Sequence, residues 1–248
     1  MNSPSSGFLC LNGLSKSFGE TKALADVSLV IEAGTVHSIL GENGSGKSTL
    51  VKVLSGVLIP DSGSIVIDGQ LLTKNSPSSV RRAGIASVFQ EVLVCPNRSI
   101  AENVLLGQDS WRSWKSKGAA RTLSAATVLA ELTDYVFNLE AEVGNISLVK
   151  QHQVAIARAL LMNPKLLVLD ESTASLDIHE RDKLFTALKR RVSDGMAVVF
   201  ISHRLEEVIQ LSDAVTVLRS GKKIETLNRG ELDERKLLQL LSPEAGQR

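Results

Sequence analysis

The residues Gly41-Glu42-Asn43-Gly44-Ser45-Gly46-Lys47-Ser48 follow the pattern G-x-x-x-x-G-K-S. Those types at that spacing suit one task, the holding of a chain of phosphates. Glycines let successive backbone N–H groups curl around phosphate oxygens, and a helix starting behind them points its positive end inward. Lys47 can bridge β- and γ-phosphates, and the Ser48 hydroxyl can ligate Mg²⁺. Downstream, Leu166-Leu167-Val168-Leu169 runs into the acids Asp170 and Glu171. A buried parallel strand would deliver Asp170 at its carboxyl end, the edge where such sheets bind ligands. There Asp170 can hold the Mg²⁺ through water, while Glu171 orients and deprotonates an attacking water. His203 follows the apolar run Ala197–Ile201 and Ser202. It can donate a hydrogen bond to a γ-phosphate, and Gln90 can carry an amide to Mg²⁺ or to the lytic water. Alone, a histidine at a strand end is more often structural than catalytic. Parallel strand order would place all of these residues on one rim.

The elements that must position them alternate along the chain. Residues 25–31 put Ala25, Val27, Leu29 and Ile31 on one face, the alternation of a half-buried strand. Residues 35–40 form a short strand running into the glycine loop, and 47–56 read as a helix stopped by Gly56. Pro60 to Gly63 is a turn, 64–67 a strand closed by the hairpin pair Asp68-Gly69, and 85–89 another strand. Between about 100 and 162 the pattern is helical, at 101–106, 123–137 and 148–162, with a loop at 111–118. Strands at 166–170, 197–201 and 214–218 then alternate with helices at 178–192 and 204–211. A Ser220-Gly221 turn, a short strand and a helix at 231–241 end the pattern. Apolar strands alternating with helices predict an α/β core with a mainly parallel sheet.

The 248 residues carry 28 Lys+Arg against 27 Asp+Glu, a formal charge of +1, with 43% hydrophobic and 22% charged residues. This is ordinary globular composition. The near-neutral balance argues against a broad grip on nucleic acid and leaves room for a local phosphate site. Cys10 and Cys95 form no CxxC, so neither a disulfide framework nor a zinc site is expected. Residues 1–7 lack the basic and apolar segments of a signal peptide, and no window approaches a membrane span. The expectation is a soluble, intracellular chain that meets a membrane only through a partner.

Taken in this order, the residues resemble the ATP-binding cassette (ABC) ATPases over essentially the full chain. Gly41 to Thr49, including Ser45, matches that family's Walker A loop, Gln90 its Q-loop, and Leu166–Asp170 its Walker B strand. Glu171 matches the catalytic glutamate, Ser175-Leu176-Asp177 the D-loop, His203 the switch histidine, and Phe18 the aromatic stacked on adenine. The resemblance implies a P-loop NTPase fold: a RecA-like core with a mixed, mainly parallel sheet, an antiparallel β edge and a helical, signature-bearing subdomain. It implies one domain over 1–248, with the core at about 1–90 and 163–248 and the helical part at about 91–162. ATP and Mg²⁺ are the cofactors it implies, Ser48, Gln90 and Asp170 being the metal residues. Two cassettes would pair head to tail, as a homodimer or heterodimer, sharing two ATP sites. Transmembrane permease subunits would be the direct partners and an external solute-binding protein an indirect one. The chain would sit peripherally on the cytoplasmic side of the inner membrane. The segments Ser99-Ile100-Ala101-Glu102-Asn103-Val104-Leu105-Leu106-Gly107 and Phe200-Ile201-Ser202-His203-Arg204-Leu205-Glu206-Glu207-Val208 are similar to the carbohydrate-import branch.

Three departures from the family stand out. Its L-S-G-G-Q signature reads Ile146-Ser147-Leu148-Val149-Lys150-Gln151 here. Ser147 remains, placed to cap a helix whose positive end would face a partner's γ-phosphate. Val149 replaces the second glycine, and a β-branched side chain hinders close backbone approach, so weak hydrolysis at that site is an alternative expectation. Ser172 replaces the proline usual after the glutamate, with a small effect expected. Carbohydrate-type chains often carry tandem cassettes, and this sequence has one set of motifs, as a half-size subunit or one cassette of a longer protein would. A soluble, non-transport ABC ATPase is the further alternative, although the spacing leaves no room for long coiled-coil arms.

Overall fold

The computed structural model describes residues 7–108 and 118–242. Its elements run β1 (Leu9–Phe18), β2 (Thr21–Ile31), β3 (Val36–Leu40), α1 (Lys47–Leu54), β4 (Ser62–Ile67), β5 (Gln70–Leu71), α2 (Pro77–Arg82) and β6 (Ile85–Val88). Next come three helices, α3 (Ile100–Leu105), α4 (Gly118–Leu132) and α5 (Leu148–Leu161). The chain continues through β7 (Leu166–Asp170), α6 (Ile178–Ser193), β8 (Ala197–Ile201), α7 (Leu205–Leu211), β9 (Ala214–Arg219), β10 (Lys222–Asn228) and α8 (Glu234–Leu241).

Every residue of β3, β7 and β8 is buried, which an interior strand covered on both faces requires. They lie in a six-stranded sheet of order β10-β9-β3-β8-β7-β6. All pairings in it are parallel except that of β10 with β9. Successive side chains alternate between two cores. Leu167, Leu169, Val198 and Phe200 pack with Leu160 of α5, Phe185 of α6, Val208 of α7 and Leu237 of α8. Leu166, Val168, Val199 and Ile201 pack with Leu50 and Leu54 of α1 and with Leu9, Leu24 and Ile31 from β1 and β2. A helical layer therefore covers one face, and α1 with a second sheet covers the other.

That second sheet is antiparallel, with order β2-β1-β4-β5. The predicted hairpin at Asp68-Gly69 closes β4 onto β5, and both residues take positive φ, 52° and 73°, as a tight two-residue turn demands. Strand β1 escaped the sequence reading because its pairing with β2 shifts register between Leu11, Leu14, Lys16 and Ser17. Those irregularities break the alternation that marks a strand. Helix α2 was also missed, though Ser76 caps it and Pro77 opens it.

Helices α3, α4 and α5 fill the interval between β6 and β7. A capping box of Ser99 and Glu102 starts α3. Buried Asn103 ties α3 to the preceding loop, accepting from the Cys95 N–H at 2.8 Å and donating to the Cys95 carbonyl at 3.0 Å. The helix predicted at 123–137 begins earlier and ends at Leu132. Beyond it the Thr133 hydroxyl accepts the Tyr135 N–H at 3.2 Å, replacing a helical bond, and Tyr135 meets Phe137 edge-on at 4.9 Å. Of the predicted loop at 111–118, residues 111–117 lie outside the described residues and Gly118 opens α4. The last helix starts at Glu234, capped by Asp233, because Arg229–Glu231 form a separate short 3₁₀ turn. Among the described residues no helix is long and apolar enough to cross a membrane.

One buried polar chain crosses the sheet. His37 Nε2 lies 2.8 Å from the Thr216 hydroxyl, which lies 2.7 Å from that of Thr226. Burial, aided by Lys223, pushes His37 down from 6.5 to about 4. The unfolded chain thus binds a proton that the folded chain refuses, so this contribution is complete above pH 6.5 and is lost as pH falls toward 4. Urea denaturation at pH 7 and pH 4 is expected to show a loss of about 3 kcal/mol from this group. His37→Gln should flatten the pH dependence by that amount; an unchanged slope would contradict the assignment.

Candidate functional site

Parallel register brings the chemical residues to one height. Ile39 of β3 lies opposite Ile201 of β8, Ile201 opposite Asp170 of β7, and Leu169 opposite Val88 of β6. Each strand then breaks into a loop at the same edge, carrying Gly41, His203, Glu171 and Gln90 respectively. A pocket of about 720 Å³ opens there, lined by Phe18, Gly41 to Gly44, Gly46 to Thr49, Gln90, Glu171 and His203.

The glycine loop is shaped from outside. A Cβ on Gly41 would come within 2.4 Å of the Leu218 carbonyl, and one on Gly46 within 2.4 Å of that of Ala23. The Gly221 N–H holds the Ser45 carbonyl at 3.0 Å, so the turn between β9 and β10 braces the loop from behind. Gly44, with φ of 80°, has open space where a side chain would sit. No side chain caps α1, and its first i→i−4 bond runs from Leu50 to Gly46. The N–H groups of Lys47, Ser48 and Thr49 therefore precede the helical ladder and face the pocket without intrahelical partners. This is an anion site built from backbone.

Lys47 is buried and donates to the carbonyls of Gly41 at 2.7 Å and Glu42 at 3.0 Å, folded over its own loop. Burial holds its ammonium below the ordinary lysine range, against the pull of Glu171 and Asp170. Asp170 sits behind the pocket surface. Burial and the neighbouring Glu171 carboxylate push it up to about 6, opposed by Lys47 and Lys52. Glu171 takes a left-handed φ of 47°, and its N–H donates to the Ile201 carbonyl at 2.9 Å. Its Oε1 lies 3.5 Å from His203 Nδ1. The side chains of Ser48, Gln90, Asp170 and Glu171 all present oxygen, the donor set a hard divalent cation such as Mg²⁺ takes.

Three residues predicted for the site stand apart from the pocket lining. Ser45 is buried within the loop, its hydroxyl without a partner among the described residues. Asp170 is the buried acid just described. Ser147 is exposed at the start of α5, where its hydroxyl accepts the Lys150 N–H at 3.4 Å, and does not line this pocket. Thr21, Lys22 and Ala23 line the pocket and were not foreseen. The signal for them was the Phe18-Gly19 turn, which returns the chain past the glycine loop. Ser172, where a proline was usual, leaves its hydroxyl buried with no partner among the described residues.

A model of the ABC transporter family matches residues 24–174. Ribose import ATP-binding protein RbsA 2 of Burkholderia pseudomallei (strain 1710b) is 39% identical over 245 residues, 96% of this chain and 47% of that protein. The chain thus spans about half the length of the curated relatives it matches. Two solved structures agree in fold. A nucleotide-free ATP-binding cassette from an ABC transporter gives a TM-score of 0.79 at 27% identity, covering 94% of this chain and 98% of that one. A dimeric, post-hydrolysis ATP-binding cassette bound to ADP and Pi gives 0.79 at 27%, covering 89% and 98%. Matched in sequence by the family model and the RbsA relative, and in fold by the solved cassettes, the chain belongs to the ABC transporter family and has the fold of its ATP-binding cassettes.

Proposed function

We propose that this chain is the ATP-binding and ATP-hydrolysing subunit of an ABC importer, with a sugar as cargo. The observation that carries the reading is the single pocket in which the glycine loop, Gln90, Glu171 and His203 meet. Phe18, half-exposed at the pocket's end, offers its ring face to adenine. Backbone N–H groups from Gly41 to Thr49 hold the phosphates, and Lys47 exchanges its loop carbonyls for phosphate oxygens. Ser48 and Gln90, with Asp170 acting through water, would hold Mg²⁺, which when bound neutralises charge on the phosphates. Glu171 takes a proton from the attacking water as the bond to the γ-phosphorus forms and the bond to the ADP oxygen breaks. His203 donates to a γ-phosphate oxygen. The likeness to ribose import ATP-binding protein RbsA 2 supports a sugar as cargo.

Residues 91–162 act in this reading as a helical subdomain on a core made of 1–90 and 163–248, with Ser147 facing the phosphates of a second cassette. A groove of about 240 Å³ between α2, β6 and α5 is lined by Val57, Phe89, Leu93, Arg158 and Met162. It is suited to a coupling helix of a transmembrane permease, which would hold the chain at the cytoplasmic face of the inner membrane. An external solute-binding protein would engage the permease and touch this chain only indirectly.

Val149 favours a second reading, a partner cassette with weak hydrolysis at one shared site. In the first turn of α5 its half-buried side chain packs against the main core, where the family has a bare glycine backbone. Purified chain turning over ATP alone at an ordinary rate of about 1 s⁻¹ or more would exclude it.

Glu171→Gln is expected to cut ATP turnover at least about a hundredfold while ATP still binds. Unchanged hydrolysis would refute the assigned base. Isolation from native membranes is expected to bring down an integral membrane subunit, and Leu93→Asp to release it. Recovery with no such subunit would redirect the assignment to a soluble ATPase.

A further inference from the structure

Glu171 and His203 stand on separate loops, after β7 and β8, with Glu171 Oε1 3.5 Å from His203 Nδ1. One buried carboxylate reaches both loops. Glu207 of α7 is only 1% exposed, yet both oxygens of its carboxylate are engaged. Oε2 accepts from the Thr173 hydroxyl at 2.6 Å and from the Ser202 hydroxyl at 2.9 Å. Oε1 accepts from Arg204 Nη1 at 3.1 Å. Arg204 also reaches the first loop, donating through Nη2 to the Ala174 carbonyl at 3.0 Å, and its N–H donates to the Ser202 hydroxyl at 3.1 Å. Thr173 and Ala174 follow Glu171, and the Ala174 N–H returns to the Glu171 carbonyl at 3.3 Å. Ser202 and Arg204 flank His203.

We propose that Glu207 is a positioning residue that clamps the Glu171 loop to the His203 loop and sets the reach between these two side chains. The proposal rests on the reading of Glu171 and His203 as the reacting pair. Thr173, Ser202 and Glu207 are all buried, so water cannot replace a lost partner cheaply. Glutamine at 207 presents one acceptor where the carboxylate has two. Served by the hydroxyls, it would aim its amide hydrogens at the Arg204 guanidinium. The brace would loosen although the side-chain shape is kept.

The test compares the full chain with Thr173→Val, Thr173→Ser and Glu207→Gln. Thr173→Val keeps the volume and loses the hydroxyl, so it remains informative if Glu207→Gln does not fold. Thr173→Val is expected to lower kcat about tenfold with KM for ATP within about twofold, and Thr173→Ser to restore kcat. The second readout needs no hydrolysis: the NMR signals of the His203 imidazole, assigned by their loss in His203→Ala. They are expected to move on Glu171→Gln, and that response should fall by about half or more in the Thr173→Val and Glu207→Gln backgrounds. An undiminished response in those backgrounds, or none in the otherwise unaltered chain, would overturn the proposal. So would wild-type kcat in Thr173→Val, or a loss in Thr173→Ser as deep as in Thr173→Val. A chain that never hydrolyses ATP would refute the reading of Glu171 as a base, and the histidine signals would still decide the clamp.

Discussion

The register of the parallel strands is the constraint on which everything else depends. Because Ile39, Ile201 and Asp170 lie abreast, the loops after β3, β8 and β7 leave the sheet at one level. A shift of one residue in β7 would turn Leu167 and Leu169 toward the wrong core and carry Asp170 off the rim. The same hydrophobic alternation that divides the two cores therefore also brings the pocket-lining residues to one level. Packing and pocket geometry are specified by one pattern.

Charge at the rim follows from that alignment. Two adjacent carboxylates and one ammonium are gathered there, and burial makes Asp170 and Lys47 costly to keep ionised. Asp170 responds by rising to about 6, and Lys47 is lowered. An incoming triphosphate would meet Lys47 and the open N–H groups of α1, and a divalent cation would meet the acids. Preorganised dipoles of this kind need little rearrangement when charge arrives.

Much of this was legible in the sequence, for identifiable reasons. The glycine loop announces itself because backbone demands at Gly41, Gly44 and Gly46 leave few substitutes. Strands β7 and β8 read clearly because interior parallel strands are unbroken apolar runs. Strand β1 did not read, since its bulges scramble the alternation, and α2 was too short to show a period. The end of the helix predicted at 123–137 was misjudged because a side-chain turn at Thr133, invisible to hydrophobic pattern, stops it. Glu207 was visible only as one acid among several after His203. Its burial depends on Thr173 and Ser202, brought beside it by the fold from outside its own helix.

The backbone of Glu171 sets local strain against the side chain it carries. A left-handed φ at a residue that carries a Cβ costs on the order of 1 kcal/mol, and glycine would occupy that point without strain. Glycine at 171 would therefore relieve the backbone while removing the carboxylate proposed as the base for the attacking water.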